Sequence, residues 1–165
     1  MYKRQISNIS GPITESQLGF TLGPRINAGG RIGNASLGAR LLTSTNRSEA
    51  EMIACELEGL NKERQALEAE MLLEAESQVI GHTEKCSVIV VSSKAWHPGI
   101  VGLISARLKE LWQRPAFAIA FNSDGVGSGS GRSIPGVDLG KAIDLAISAG
   151  LLVKGGGHAL SLIHI

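Results

Sequence analysis

Apolar residues at Ile53, Leu57, Leu60, Leu67, Met71, Ala75 and Val79 follow steps of three, four or seven. That spacing predicts one long helix from Asn46 to about Ile80. Asn46 with Glu49 three residues on resembles a capping box, and Glu58 with Lys62 and Arg64 with Glu68 make favourable pairs four apart. A helix of ~30 residues is about 45 Å long, more than one small domain needs, so it is expected to join two lobes. An autonomous coiled coil is disfavoured because Arg64 interrupts the seam and heptads are few.

On either side the pattern differs. Residues 1–35, rich in Gly, Ser, Asn and Pro, read as irregular connections around short elements, followed by a short helix over Ser36–Leu42. Beyond Gly81 the period becomes that of an α/β domain. Ser87–Ser92 is a β-branched, buried-type strand. Trp96–Gly99 opens a helix whose apolar side is Ile100, Val101, Leu103, Ile104, Leu108 and Leu111, with Pro98 suited to its first turn. Ala116–Phe121 reads as a second strand and the Gly/Ser/Arg run after it as a third. Asp138–Ser148 is a helix capped by Asp138 and stopped by Gly150, and Leu151–Val153 a final strand.

Composition changes this picture little. The chain has 165 residues and 43% hydrophobic content, enough for a packed core. No apolar run approaches the roughly 20 residues that span a bilayer, and the start has no secretory h-region. A cytoplasmic protein is expected, with Cys55 and Cys86 reduced, buried structural thiols.

Charge changes it more. Residues 48–80 carry nine acids against Lys62 and Arg64, a net of −7, so the rest of a chain of net +1 carries +8. Before that stretch Lys3, Arg4, Arg25, Arg31, Arg40 and Arg47 face Glu15 alone. Segregation of this kind suits a polyanionic partner such as nucleic acid, with a solvated basic face as the rival.

The candidate chemistry concentrates in Gly125–Ser133, where every second residue is glycine. On a strand, alternate residues share a face. One face is then bare backbone, open to a ligand or another backbone, and the other carries Val126, Ser128, Ser130 and Arg132. Serine hydroxyls and a guanidinium fork suit phosphate oxygens. A flexible Gly/Ser linker is the rival.

Four segments stand in order: Gly23–Gly33 (with Arg-Ile-Asn-Ala-Gly-Gly-Arg inside it), Leu60–Gln65, Trp96–Gly102 with Arg107, and Gly129–Ser133 leading to Gly155–His158. Together they resemble the bacterial RecJ family, single-strand-specific 5′ to 3′ DNA exonucleases of the DHH phosphoesterase superfamily. The likeness runs from about Gly11 to Ala159. It implies an α/β protein in which residues 1–45 are the tail of a DHH domain, 46–81 a connector helix, and 82–165 a DHHA1 domain with a small mixed sheet flanked by helices.

It further implies an interior fragment of an exodeoxyribonuclease acting in DNA repair and recombination. In the whole enzyme two Mn²⁺ or Mg²⁺ ions would serve phosphodiester hydrolysis. Their ligands would lie upstream, leaving this chain with no metal site and, alone, no activity. The implied partners are single-stranded DNA and, among proteins, a single-strand-binding protein or a helicase, with no membrane.

By resemblance, Arg31, Gln65, Arg107, Ser130 and Arg132 hold the strand and its 5′ phosphate, and His158 is the substrate-phosphate, catalytic histidine. Arg31 and Arg107 have rival readings as surface charges, and Gln65 as a solvated helix residue. Trp96 reads as packing rather than base stacking, His97 as a structural hydrogen-bonding residue, and Asn27 as a turn former or a ligand contact. Residues 161–165 depart from the family pattern and have the look of a cloning or frame-shift scar, which leaves the geometry of His158 open. The alternatives are a DHH/DHHA1 phosphoesterase for short oligonucleotides or phosphoadenosine phosphate, and a non-catalytic nucleic-acid-binding module.

Overall fold

The computed structural model describes residues 12–80 and 86–163. The chain divides into two compact units, Met1–Ala66 and Leu67–Ile165, with the boundary inside the long helix.

In the first unit helix forms earlier than its glycines suggest. Thr14 caps a helical turn, Glu15–Gln17, by a reciprocal capping box with Gln17. A π-helical turn, Leu18–Leu22, leads into α1 (Gly23–Ile32), followed by α2 (Ser36–Thr43) and α3 (Arg47–Ile80). Residues 15–32 are therefore helical rather than irregular, and Asn27 lies within α1, in helix rather than in a turn of its own.

The glycines serve close packing. A Cβ on Gly29 would stand 2.8 Å from the Asn34 carbonyl and 3.2 Å from Leu57, and one on Gly38 would stand 3.0 Å from Ile26. The core is Leu37, Leu41, Ile53, Ala54 and Leu57, with Ala50 and Leu60 half-buried at its edge. Each fully buried side chain contributes about 1.5–3 kcal/mol, which orders glycine-containing helices of low intrinsic propensity.

The start of α3 follows its sequence signal. Asn46 Oδ1 accepts from the Glu49 amide at 3.2 Å, while the Glu49 carboxylate turns to Arg40 and Ser44 at 2.8 and 2.9 Å. Those hydrogen bonds, Arg40 first, hold the Glu49 carboxyl below its ordinary range. Arg64 is buried in the apolar seam, its Nη2 donating to the buried Asn61 at 3.3 Å.

The second unit contains the last part of α3, then β1 (Ile89–Ser93), α4 (Val101–Trp112), β2 (Ala116–Phe121), β3 (Gly127–Arg132), α5 (Leu139–Ser148), β4 (Gly157–His158) and β5 (Ser161–Ile163). They form a mixed five-stranded sheet in the order β1-β2-β3-β5-β4, with β1 and β2 parallel and every other pairing antiparallel. Helix α4 buries Val101, Ile104, Ser105 and Leu108, and α5 packs Leu139 and Ile143 with Phe117, Ile147 and Leu152.

Several elements differ from expectation. Gly125 and Val126 belong to the β2–β3 turn, Gly125 at φ 79° and Asn122 Oδ1 accepting from the amides of Asp124 and Val126. Helix α4 begins at Val101, after a turn over Pro98–Ile100. Leu151–Val153 forms no strand: Gly150 at φ 70° ends the α5 region and Val153 is 96% exposed. Gly81 and residues 1–11 lie outside the described residues.

Candidate functional site

The two faces of β3 meet different neighbours. Register pairs Phe117 with Gly131, Ile119 with Gly129 and Phe121 with Gly127. A Cβ on Gly131 would lie 2.8 Å from the Phe117 ring and 2.9 Å from Leu139, and one on Gly127 would lie 3.0 Å from both Ile119 and Phe121. The bare face is thus covered by side chains of β2 and α5, not open to a ligand or a second backbone. This corrects the expectation for that face.

The opposite face carries Ser128, Ser130 and Arg132 across from Ala120, Ala118 and Ala116. Those alanines are almost fully buried, and their small side chains let α4 approach the sheet. Ser130 is 7% exposed and Arg132 half-buried. Arg132 Nη1 donates to Ser130 Oγ at 3.1 Å and to the Gly131 carbonyl at 2.9 Å, which fixes the plane of the guanidinium. A Cβ on Gly102, in the first turn of α4, would stand 3.2 Å from Ser130 Oγ and 3.5 Å from Arg132 Nη2. A helix N-terminus, the Ser130 hydroxyl and an oriented guanidinium therefore meet in one place, a combination that suits an anion.

Register adds His158. Arg132 pairs with Ser161 on β5, and Ser161 with His158 on β4. Residues opposite one another share a sheet face, so Arg132, Ser161 and His158 form one crosswise row. Strands lie about 4.8 Å apart, which separates the Arg132 and His158 backbones by about 10 Å. His158 is exposed. The backbone just after it is anchored twice: the Leu139 amide donates to Ala159 O at 2.9 Å and the Ser133 amide to Leu160 O at 3.0 Å. The segment that departs from the family pattern thus supplies, through Ser161–Ile163, the strand that joins β4 and its His158 to β3. Its last two residues lie outside the described ones.

The other expected residues stand elsewhere. Arg107 is 58% exposed on α4, with Glu110 at 3.4 Å and Glu68 at 3.8 Å. In the first unit Arg31 is half-buried in the last turn of α1, and Gln65 is exposed on α3. Trp96 is packing, 4% exposed, its indole N–H donating to Glu74 at 2.6 Å. His97 is a turn residue: Nδ1 accepts from the Gly99 amide at 3.1 Å. Gly102 and Ser161 were not singled out from sequence. Gly102 sits inside the Trp96–Gly102 segment, but its close approach to Ser130 and Arg132 is long-range, and Ser161 enters only through strand register.

The charge contrast along the chain is partly resolved by internal pairing. Arg25 meets Glu58 at 2.6 Å, Arg40 meets Glu49 at 2.8 Å and Arg47 meets Glu51 at 3.2 Å. Both cysteines are exposed, contrary to the buried thiols expected. Cys55 falls on the outer side of α3 next to the buried Ala54. Among the described residues no three His, Cys, Asp or Glu gather to hold a metal ion, and no helix is long and apolar enough to cross a membrane.

Comparison with known proteins matches residues 85–161 to the DHHA1 domain. The single-stranded-DNA-specific exonuclease RecJ of Dickeya dadantii is 38% identical over 155 residues, covering 90% of this chain and 27% of that protein. Its Escherichia coli counterpart is 37% identical over 155 residues, with the same coverage. The crystal structure of Thermus thermophilus RecJ with Mn²⁺ superposes with a TM-score of 0.81 at 29% identity, over 98% of this chain and 23% of that one. The chain thus spans about a quarter of the length of the curated relatives it matches.

Proposed function

The chain is a homologue of the RecJ exonucleases and carries a DHHA1 domain over residues 85–161, and from that premise we propose that it supplies the strand and 5′-phosphate clamp of a single-stranded-DNA-specific 5′ to 3′ exonuclease. The observation that carries the reading is the shared face of Ser130, Arg132, Ser161 and His158 beside the first turn of α4. Arg132, its plane fixed through Nη1, holds the terminal phosphate with Ser130. His158, exposed at the end of the row, hydrogen-bonds the neighbouring, scissile phosphate. Arg107, Gln65 and Arg31 track the strand as backbone contacts, which position a nucleic acid without reading its sequence.

Relatives of this chain were solved with Mg²⁺ or Mn²⁺. The described residues do not fit such an ion, since no cluster of acidic or imidazole ligands is present among them. On resemblance, hydrolysis is assigned to a two-metal site upstream in the full-length protein, and this chain alone is expected to be inactive. Single-stranded DNA is the proposed partner. On resemblance alone a single-strand-binding protein or a helicase joins it, with the cytoplasm as the place of action.

The test is a titration of wild type, Arg132→Lys and Arg107→Ala with 5′-phosphorylated and 5′-hydroxyl single strands at two salt concentrations. Charge-assisted hydrogen bonds are worth about 1.5–3 kcal/mol, and an ammonium does not reproduce the guanidinium fork. Arg132→Lys is expected to lose on the order of tenfold or more for the phosphorylated strand and little for the other. Arg107→Ala weakens both alike and flattens the salt dependence by about one phosphate contact. With Mn²⁺ and a 5′ label present, this chain releases no mononucleotides. Equal losses for both ends in Arg132→Lys would refute the phosphate assignment, and metal-dependent release would refute the upstream location of catalysis.

A further inference from the structure

We infer that Glu74 is a positioning residue for the phosphate site, acting through the Trp96 indole on the start of α4. The inference rests on the reading of Ser130, Arg132 and His158 given above.

Helix α4 is the element that needs positioning. Its first turn brings Gly102 against Ser130 and Arg132, yet its N-cap residue, Ile100, makes no side-chain capping hydrogen bond. By contrast α5 is capped by Asp138, whose Oδ1 accepts from the Lys141 amide at 3.1 Å. A helix start without a side-chain cap lacks that local anchoring. Anchoring here comes from the preceding turn, where Ile100 N donates to His97 O at 3.0 Å and Gly99 N to His97 Nδ1 at 3.1 Å.

That turn hangs from Trp96, which is 4% exposed and donates to Glu74 Oε2 at 2.6 Å. A short hydrogen bond to a carboxylate is among the stronger neutral-donor contacts. Glu74 is itself fixed on both sides along α3: Met71, Ala75 and Val79 are buried, and the Gln78 amide exchanges two hydrogen bonds with the Ser92 backbone at 3.0 and 3.1 Å. The line of contact runs from α3 through Glu74 and Trp96 to the turn, to Gly102, and so to the hydroxyl and guanidinium that face the anion. A Cβ on Gly102 would stand only 3.2 Å from Ser130 Oγ and 3.5 Å from Arg132 Nη2, so a shift of the turn changes how closely the start of α4 approaches both groups.

The experiment uses this chain with Glu74→Ala, Glu74→Gln, Trp96→Phe and the double variant Glu74→Ala/Trp96→Phe. The readout is the ratio of affinities for 5′-phosphorylated and 5′-hydroxyl single strands. A role in stability alone would leave that ratio unchanged in any variant that folds. Glu74→Ala and Trp96→Phe are each expected to lower it about fivefold, the double variant no further, and Glu74→Gln, which keeps an acceptor for the indole, to stay within about twofold of wild type. Should Glu74→Ala not fold, Trp96→Phe and Glu74→Gln carry the test. An unchanged ratio in Trp96→Phe, a Glu74→Gln that fails to preserve it, or additive losses in the double variant would overturn the inference. A wild type that does not distinguish the two strands would instead remove the phosphate reading on which it stands.

Discussion

Replacing Gly131 by alanine separates the packing role of the glycine-rich strand from its binding role. The new methyl carbon would lie 2.8 and 2.9 Å from two atoms of the Phe117 ring and 2.9 Å from a terminal carbon of Leu139, which is 3% exposed. Real methyl groups do not come that close, so the ring or the N-terminal turn of α5 must move. Overpacking of this kind costs about 1–3 kcal/mol, and the lower chain entropy of alanine returns about 0.5–1. The net expectation is a loss of about 1–2 kcal/mol, read as a fall in melting temperature of several degrees for a domain near 100 residues. Gly59→Ala is the control. Gly59 is exposed in the middle of α3 with nothing within 4 Å of the added methyl, so this change stabilises by up to about 1 kcal/mol. Thermal unfolding followed by far-UV circular dichroism measures both. A Gly131→Ala protein as stable as wild type would refute the assignment of the glycine face to the interior of the sheet.

Leu57, 1% exposed in the first-unit core, is expected to cost about 2–5 kcal/mol on truncation to alanine, while the half-buried Leu60 costs less and the exposed Glu70 close to nothing; denaturant midpoints give the order. Arg40 and Ser44 hold the Glu49 carboxyl below its ordinary value, so its contribution is present above the unfolded-state value and is lost as pH falls through the lower, folded one. Wild type should therefore lose stability more steeply than Glu49→Gln on acidification through the low end of the carboxylate range, by a small margin because the pair is exposed; identical profiles would contradict this.

Legibility followed the distance over which each feature is decided. Helix α3 was readable because its buried residues Ile53, Leu57, Met71, Ala75 and Val79 keep one period over many turns, and α5 because Asp138 and Gly150 mark its ends locally. The helices at residues 15–32 were not, because Gly29 permits a close approach decided by Asn34 and Leu57 rather than by its neighbours in sequence. Alternation in the Gly/Ser/Arg run correctly put Ser130 and Arg132 on one face. It could not say that Phe117, Ile119 and Phe121 cover the other, since that depends on the register with β2. The row joining Arg132 to His158 depends on two further strand pairings made by very short strands, β4 and β5, with no period long enough to read. Leu151–Val153 misled for the opposite reason. A local apolar run is not enough to make a strand: Leu151 and Val153 pair with none of the five strands and stay exposed.

The most direct test of the central claim is a map of where a 5′ phosphate binds. Backbone amide resonances of the isotopically labelled chain, followed during titration with a short 5′-phosphorylated single strand and then with its 5′-hydroxyl counterpart, would give it. The account predicts that the shifts specific to the phosphorylated strand concentrate at Ser130–Arg132, Ser161, His158 and the first turn of α4. Identical shift patterns for the two strands, or phosphate-specific shifts confined to residues off that sheet face, would contradict it.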